Sequence, residues 1–421
     1  MDNHVEGVPL VNIPKTRTRW AEQQTERFLA RPFISEFVFR SPQKLDGFRG
    51  IQKEVADLLV VHKGTGLLVS QKAQEDPDTR DDRRNEFWVL KNTRGALSQL
   101  IGALRSPGTP FWCDHPRRGR VDFPTGLPPI AHGVVIVETF RPVDLQAVAA
   151  DLPLKYGDTP IAYLSINDFL NLTTNLRSIP ELFAYLDARR ELPDVALRRV
   201  GNEQVLLEYY LLHQRFTSCS GHEQAVQTLK ERSDELEALL ERLAEHHYYS
   251  SRLEHVADAL AIRSSTCVEG ISPELMAKFD PPETRQNYLR MQAILTDLSL
   301  RERAELGRQF HAVVLNIEDC SQGYAQASAH LDSKPDWVFV FGSSKGWDRS
   351  KLLSLVEPTM RAALAFYKKP HCMIVIDRDG AGYEVAVTRA DAVFVASPAD
   401  VWNGEKIFGR LRSTSRIAEG F

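Results

Sequence analysis

No run of about 18 consecutive apolar residues occurs in the 421-residue chain, so no segment reads as a transmembrane helix. The opening MDNHVEGVPL has neither a basic start nor an apolar core, and is not expected to be a secretory signal. Cysteine is sparse: Cys113, Cys219, Cys267, Cys320 and Cys372 lie scattered, with no CxxC pair among them. That argues against structural zinc and a disulfide framework, and favours a reducing cytoplasm. Excess positive charge is missing too. The chain has 52 Lys and Arg against 56 Asp and Glu, a net charge of −4, so any nucleic-acid surface must be local. No DxDxDG calcium loop and no GxxxxGK[ST] phosphate loop is present.

What is present describes a globular α/β protein, 43% hydrophobic and 26% charged, long enough for about two or three domains. Its organising stretch is EVADLLVVHKGTGLLVSQKAQ, Glu54 to Gln74. Leu58–Val61 and Leu67–Val69 read as two buried strands around a Lys-Gly-Thr-Gly turn. A Gly64-Thr65 loop of type II′ sets Asp57 opposite Lys72 and Ser70 opposite Leu59. Side chains alternate, so Asp57, Leu59, Ser70 and Lys72 share one face. A carboxylate and an ammonium among buried strands are costly unless they pair or do chemistry. Metal-assisted phosphodiester hydrolysis calls for both: an acid to hold Mg²⁺ and a lysine to position the attacking water. A buried ion pair that merely holds strand register is the plainer alternative.

Asp57, a short strand, a turn and a strand ending Ser70-Gln71-Lys72 resemble the PD-(D/E)XK nuclease superfamily, which carries Asp on one strand and Glu-x-Lys on the next. The wording EVADLLVV…LLVSQK also resembles bacterial proteins with Ser-x-Lys in that place. The resemblance implies a restriction-endonuclease-like mixed sheet and a metal-dependent endonuclease acting on DNA through Mg²⁺ or Mn²⁺. It implies Asp57 and Glu22 as metal ligands, with the carbonyl beside Gln71 as a further one. Lys72 would orient the nucleophilic water, and Gln99 would touch the scissile phosphate. Ser70 stands where the superfamily usually has an acid, and a hydroxyl is a weak neutral ligand. A catalytically inactive nucleic-acid-binding or assembly protein with the same fold is therefore the alternative.

Upstream, Thr16–Ala30 reads as a helix carrying Glu22, followed by a strand Ile34–Phe39. RSPQKLDGFRGIQK reads as a polar loop whose Arg40, Lys44, Arg49 and Lys53 could meet phosphates. Glu54, three residues before Asp57, points to the opposite face of a regular strand and joins the site only through a bulge. Phe87–Arg105 reads as a helix that offers Gln99, and Ile130–Thr139 and Pro160–Ile166 as buried strands. Asp168 reads as the N-cap of a helix Phe169–Leu176, and Glu181–Arg190 as a further helix. Together these make a nuclease-like domain over residues 1–200 with a sheet of about five strands.

Residues 201–332 read as a helical domain. His246, His247 and His255 lie in it without a cysteine or paired acid at ligand spacing. Residues 333–421 read as a small α/β module: strand Trp337–Phe341, loop Gly342–Gly346, helix Arg349–Tyr367, and strands Met373–Ile376 and Tyr383–Thr388. Either of these last two regions could support a homo-oligomer.

Overall fold

The computed structural model describes residues 25, 35–45, 52–75, 81–115, 117–141, 143–198, 200, 202–216, 219–264, 282–318, 323–388 and 394–409. The expected helix Thr16–Ala30, with Glu22, lies outside the described residues apart from Thr25, which is helical. Arg49 and Ile34 lie outside them as well.

The first half of the chain builds a mixed nine-stranded sheet. Its strands are β1 (Val38–Leu45), β2 (Gln52–Glu54), β3 (Leu58–His62), β4 (Thr65–Ala73), β5 (Phe111–His115), β6 (Gly119–Phe123), β7 (Ile130–Glu138), β8 (Lys155–Tyr156) and β9 (Thr159–Ser165). They run in the order β6-β5-β1-β3-β4-β7-β9-β8, with β2 paired to β1. β4, β7 and β9 are mutually parallel; the other pairs are antiparallel. Nine strands replace the expected five or so. The added β5–β6 hairpin, FWCDH and GRVDF, is short and broken by charge, so its alternation is faint.

RSPQKL is strand, not loop: it belongs to β1 and pairs with β2 at Gln43–Glu54 and Lys44–Lys53. Propensity argues against a strand containing Ser-Pro, but Pro42 sits at an irregularity in the β1–β5 pairing, where a missing N–H costs little.

The β3–β4 hairpin turns one residue earlier than expected. His62 pairs with Thr65, leaving Lys63-Gly64 as the loop, at φ 49° and 77°. Two positive φ values make a type I′ turn, which like a II′ turn matches the strand twist and is easiest with glycine second. The pairing therefore slips by two, and Asp57 falls level with Ser70 rather than Lys72. A slip of two keeps every side chain on its face.

Helices cover both faces. On one, Val89, Ala96 and Leu100 of α1 (Asp82–Leu104) pack on Leu59, Leu68, Val135 and Val137. On the other, α2 (Ile166–Asn175), α3 (Ile179–Arg189) and α4 (Glu203–His213) pack Phe169, Leu182 and Leu206 on Leu58, Val69, Val134 and Leu164. A sheet covered on both faces explains why β4 and β7 read as continuous apolar runs. Asp168 is not the N-cap of α2. Ser165 is, and Asp168 closes a capping box three residues on, so the helix starts at Ile166.

Helix α5 (His222–Glu231) also joins this first core, through Ala225. Helices α6 (Ser233–Ser264), α7 (Pro282–Thr296) and α8 (Leu300–Glu318) pack instead on a second sheet. That sheet contains β10 (Gly323–Ala329), β11 (Trp337–Lys345), β12 (His371–Asp377) and β13 (Tyr383–Val387), in that order. Gly323–Ala329 was expected to be helical. Paired along its length with the apolar β11, GYAQASA gains a ladder that outweighs its weak strand propensity. β11 also runs through Gly342 to Lys345, so the expected loop there is strand up to Gly346. Helices α9 (Arg349–Tyr367) and α10 (Pro398–Phe408) cover the far face.

Two ties join the halves. At the hairpin tip, Asp297 receives His62 and Lys63, each at 3.0 Å, and Lys334 at 3.4 Å. At the edge of the first sheet, buried Glu36 accepts from Arg117 at 3.0 Å and from the Tyr288 hydroxyl at 3.1 Å.

Candidate functional site

Where β3 begins, the ladder stops and the backbone is held by neighbours instead. Asp57 N–H donates to the Val69 carbonyl at 3.0 Å, and the Asp57 carbonyl accepts from Ser41 N–H at 2.8 Å. The carboxylate is thereby aimed over the end of β4. Its Oδ2 accepts from the Gln71 N–H at 2.5 Å and lies 3.1 Å from the Ser70 hydroxyl.

From the overlying helix α1, Gln99 reaches the same group. Its Oε1 lies 3.0 Å from the Ser70 hydroxyl and 3.5 Å from the Lys72 ammonium. A serine hydroxyl has one proton, so it donates to Asp57 or to Gln99 but not to both. Lys72 has three protons and no carboxylate within 4 Å among the described residues, so its charge is steered by a neutral amide rather than cancelled. Asp57, Ser70, Lys72 and Gln99 thus form one constellation, on the face that the alternation of the hairpin assigns to them.

Gln71 is divided between two environments. Its backbone N–H serves Asp57, while its side chain is buried on the opposite face, with no hydrogen-bond partner for Nε2 among the described residues. The N–H and C=O of one residue leave a strand on the same edge, so the Gln71 carbonyl also faces the start of β3. Glu22 lies outside the described residues.

Glu54 is exposed but lies near enough to Asp57 and Lys72 for their charges to act on its carboxyl. β1 pairs with β3 at Arg40–Leu58 but with β2 at Gln43–Glu54, so the three residues Val55–Asp57 face only two of β1, Ser41 and Pro42, and form a bulge. Partial burial, then the Asp57 charge, push the Glu54 carboxyl above its ordinary value, while a Ser41 hydrogen bond and the Lys72 ammonium pull it back. Carboxylates and a backbone carbonyl are hard oxygen donors of the kind Mg²⁺ takes. Asp57 Oδ1 has no hydrogen-bond partner among the described residues, so an oxygen is available. Asp57, Glu54 and the Gln71 carbonyl are oxygen donors of the kind a divalent cation takes, while among the described residues no cluster of three His, Cys, Asp or Glu side chains is placed to hold one.

Ser41 is the residue that sequence reasoning missed. The signal was the Ser-Pro pair, since proline inside a strand marks an edge or bulge.

The chain matches no protein-family model, no curated protein and no solved structure.

Proposed function

We propose that the protein is a metal-dependent nuclease of the PD-(D/E)XK type that hydrolyses phosphodiester bonds, most readily in DNA. The observation that carries this reading is the convergence of Asp57, Ser70, Lys72 and Gln99 on one sheet face, with Glu54 near enough for the Asp57 and Lys72 charges to act on it. The sheet supports it as well: β1, β3 and β4 run antiparallel in sequence, then β7 joins β4 in parallel after helix α1.

Asp57 and Glu54 hold the negative charge that would bind Mg²⁺ or Mn²⁺; when bound, the ion polarises the phosphoryl oxygen and lowers the pKa of a water. Lys72 orients the attacking water and stabilises charge developing on the phosphate. Gln99 keeps the ammonium in place, and Ser70 holds Asp57 in the rotamer that faces the site. The expected product is a 5′-phosphate end. The buried, unpaired Cys113, Cys219 and Cys372 support work in the reducing cytoplasm. Among the described residues no helix is long and apolar enough to cross a membrane.

The test is cleavage of supercoiled plasmid, linear duplex, single-stranded DNA and RNA with Mg²⁺ or Mn²⁺, beside Asp57→Ala and Lys72→Ala. Loss of roughly 10²–10⁴-fold in both variants, at unchanged melting temperature, is expected. Equal cleavage by parent and variants would refute the assignment. A second reading has its own observation. Ser70, in place of an acid, keeps its one proton inside the site, which suits a nuclease fold used only to bind nucleic acid. That reading expects metal-independent DNA binding and no cleavage.

A further inference from the structure

A cavity of about 320 Å³ opens at the carboxyl ends of β7 and β9, beside the constellation described above. The strand pairing fixes how near it is. Lys72 is level with Val137 on β7, and Val137 is level with Ser165 on β9. Val137 and Ser165 both line the cavity. With strands about 4.8 Å apart, Ser165 lies roughly 10 Å from Lys72, backbone to backbone. Crevices at the carboxyl ends of parallel strands are where open α/β sheets commonly take ligands.

The walls say what kind of ligand fits. Among the described lining residues there is no lysine or arginine, while Asp144, Asp168 and Glu203 are acidic, so the lining offers a phosphate no side-chain counter-charge. Glu203 in the wall is already satisfied, held by both Arg189 and Tyr185. Asp168 is only half used. Its Oδ2 accepts from the backbone and hydroxyl of Ser165, while Oδ1 has no partner among the described residues. Burial pushes this carboxyl above its ordinary value. Exposed Asn167 adds an amide that both donates and accepts. Phe140, 39% exposed, gives the lining an aromatic face. A flat, uncharged group with N–H donors on its edge, attached to a backbone that stays outside, meets all of these conditions.

We infer that this cavity is a subsite for one nucleobase of the strand whose phosphodiester meets Lys72, with the base stacked on Phe140 and its edge hydrogen-bonded by Asp168 and Asn167. The inference rests on the proposed nuclease reading and deepens it. The constellation on β3 and β4 would engage the backbone, and the cavity on β7 and β9 would select a base one or a few nucleotides away. Reading an unstacked base in a pocket requires a single strand, an end or an extruded nucleotide.

The experiment uses the full chain with Ca²⁺ in place of Mg²⁺, to hold cleavage back, and single-stranded oligonucleotides labelled for fluorescence anisotropy. One oligonucleotide is intact, and each of the others has a single abasic residue at a different position. Parallel reactions with Mg²⁺ record cleavage by the parent and by Lys72→Ala. An abasic residue at one position is expected to weaken binding roughly tenfold, the size of one base–aromatic stacking contact. Phe140→Ala should weaken binding of the intact strand by a similar factor and remove the sensitivity to that position, while Phe140→Trp retains both. Asn167→Ala should change which base is preferred there. If every abasic position binds alike while Lys72-dependent cleavage persists, the subsite is overturned and the nuclease reading stands. If the chain neither binds nor cleaves any oligonucleotide, both are overturned together.

Discussion

Gln99 Oε1 lies 3.5 Å from the Lys72 ammonium and thereby links helix α1 to the end of strand β4. The Ser70 hydroxyl, 3.0 Å from the same oxygen, competes for it. A single amide therefore sets where the site's positive charge sits and which way the serine proton points.

Removing that amide should cost activity more than stability. Gln99→Ala is expected to lower the rate of cleavage by roughly 10–10² while Lys72 remains present and charged, because a misplaced group loses the benefit of orientation. The effect should fall on kcat rather than KM. A Gln99→Ala protein with parental kcat would show that the contact does not matter to the reaction.

Acid should loosen the joint at Asp297. Burial alone would raise this carboxyl, but hydrogen bonds from His62 and Lys63, and the nearby Lys334 charge, outweigh it and hold the group down to about 2. The folded value thus lies below the unfolded one, near 3.9. The contribution to stability is full above about pH 4 and is lost as pH falls toward 2. Asp297→Asn should cost about 1 kcal/mol at neutral pH, the full linkage value being reduced by solvent screening, with the gap to the parent closing in acid. Thermal unfolding of both proteins across that range measures it; a gap that stays constant with pH rules the linkage out.

Buried Glu203 accepts two hydrogen bonds from Arg189, at 2.6 and 3.1 Å, and one from Tyr185 at 2.6 Å. Glu203→Ala leaves a guanidinium without its counter-charge and is expected to cost about 3–5 kcal/mol. Replacing both partners, as Glu203→Leu with Arg189→Met, should cost much less than the two single losses together. Urea titration of the parent, Glu203→Leu, Arg189→Met and the double variant gives the coupling, and simple additivity would contradict the pairing.

Helices α6 and α8 approach so closely at Gly307 that an added Cβ would lie 2.0 Å from the Tyr249 carbonyl oxygen. Gly307→Ala is expected to cost about 1–3 kcal/mol by forcing the helices apart. An unchanged denaturation midpoint would mean that they separate freely.

Much of the site was legible because it rests on parity. Asp57, Ser70 and Lys72 alternate with buried leucines and valines, and a two-residue error in the turn could not move them to another face. The helix carrying Gln99 was equally plain from its apolar stripe, although it begins at Asp82 rather than Phe87. Glu54 was harder to see, since its position depends on an extra residue in Val55–Asp57 that shows only against the pairing with β1. Strand β10 was illegible for a related reason. Its stability comes from the partner it pairs with, and nothing within GYAQASA announces that partner. Periodicity reports the faces of an element, whereas bulges and edge pairings are decided by neighbours far along the chain.

The Lys63-Gly64 turn has a bearing on chemistry at the other end of its strands. The same two strands end at Asp57 and Lys72 in one direction and, in the other, at a turn fastened by His62 and Lys63 to Asp297 of the second half. The hairpin therefore behaves as a lever pinned at its tip. A load applied to the second half, by a bound partner or by a second copy of the chain, would tilt the end that carries Asp57 and Lys72 without touching it.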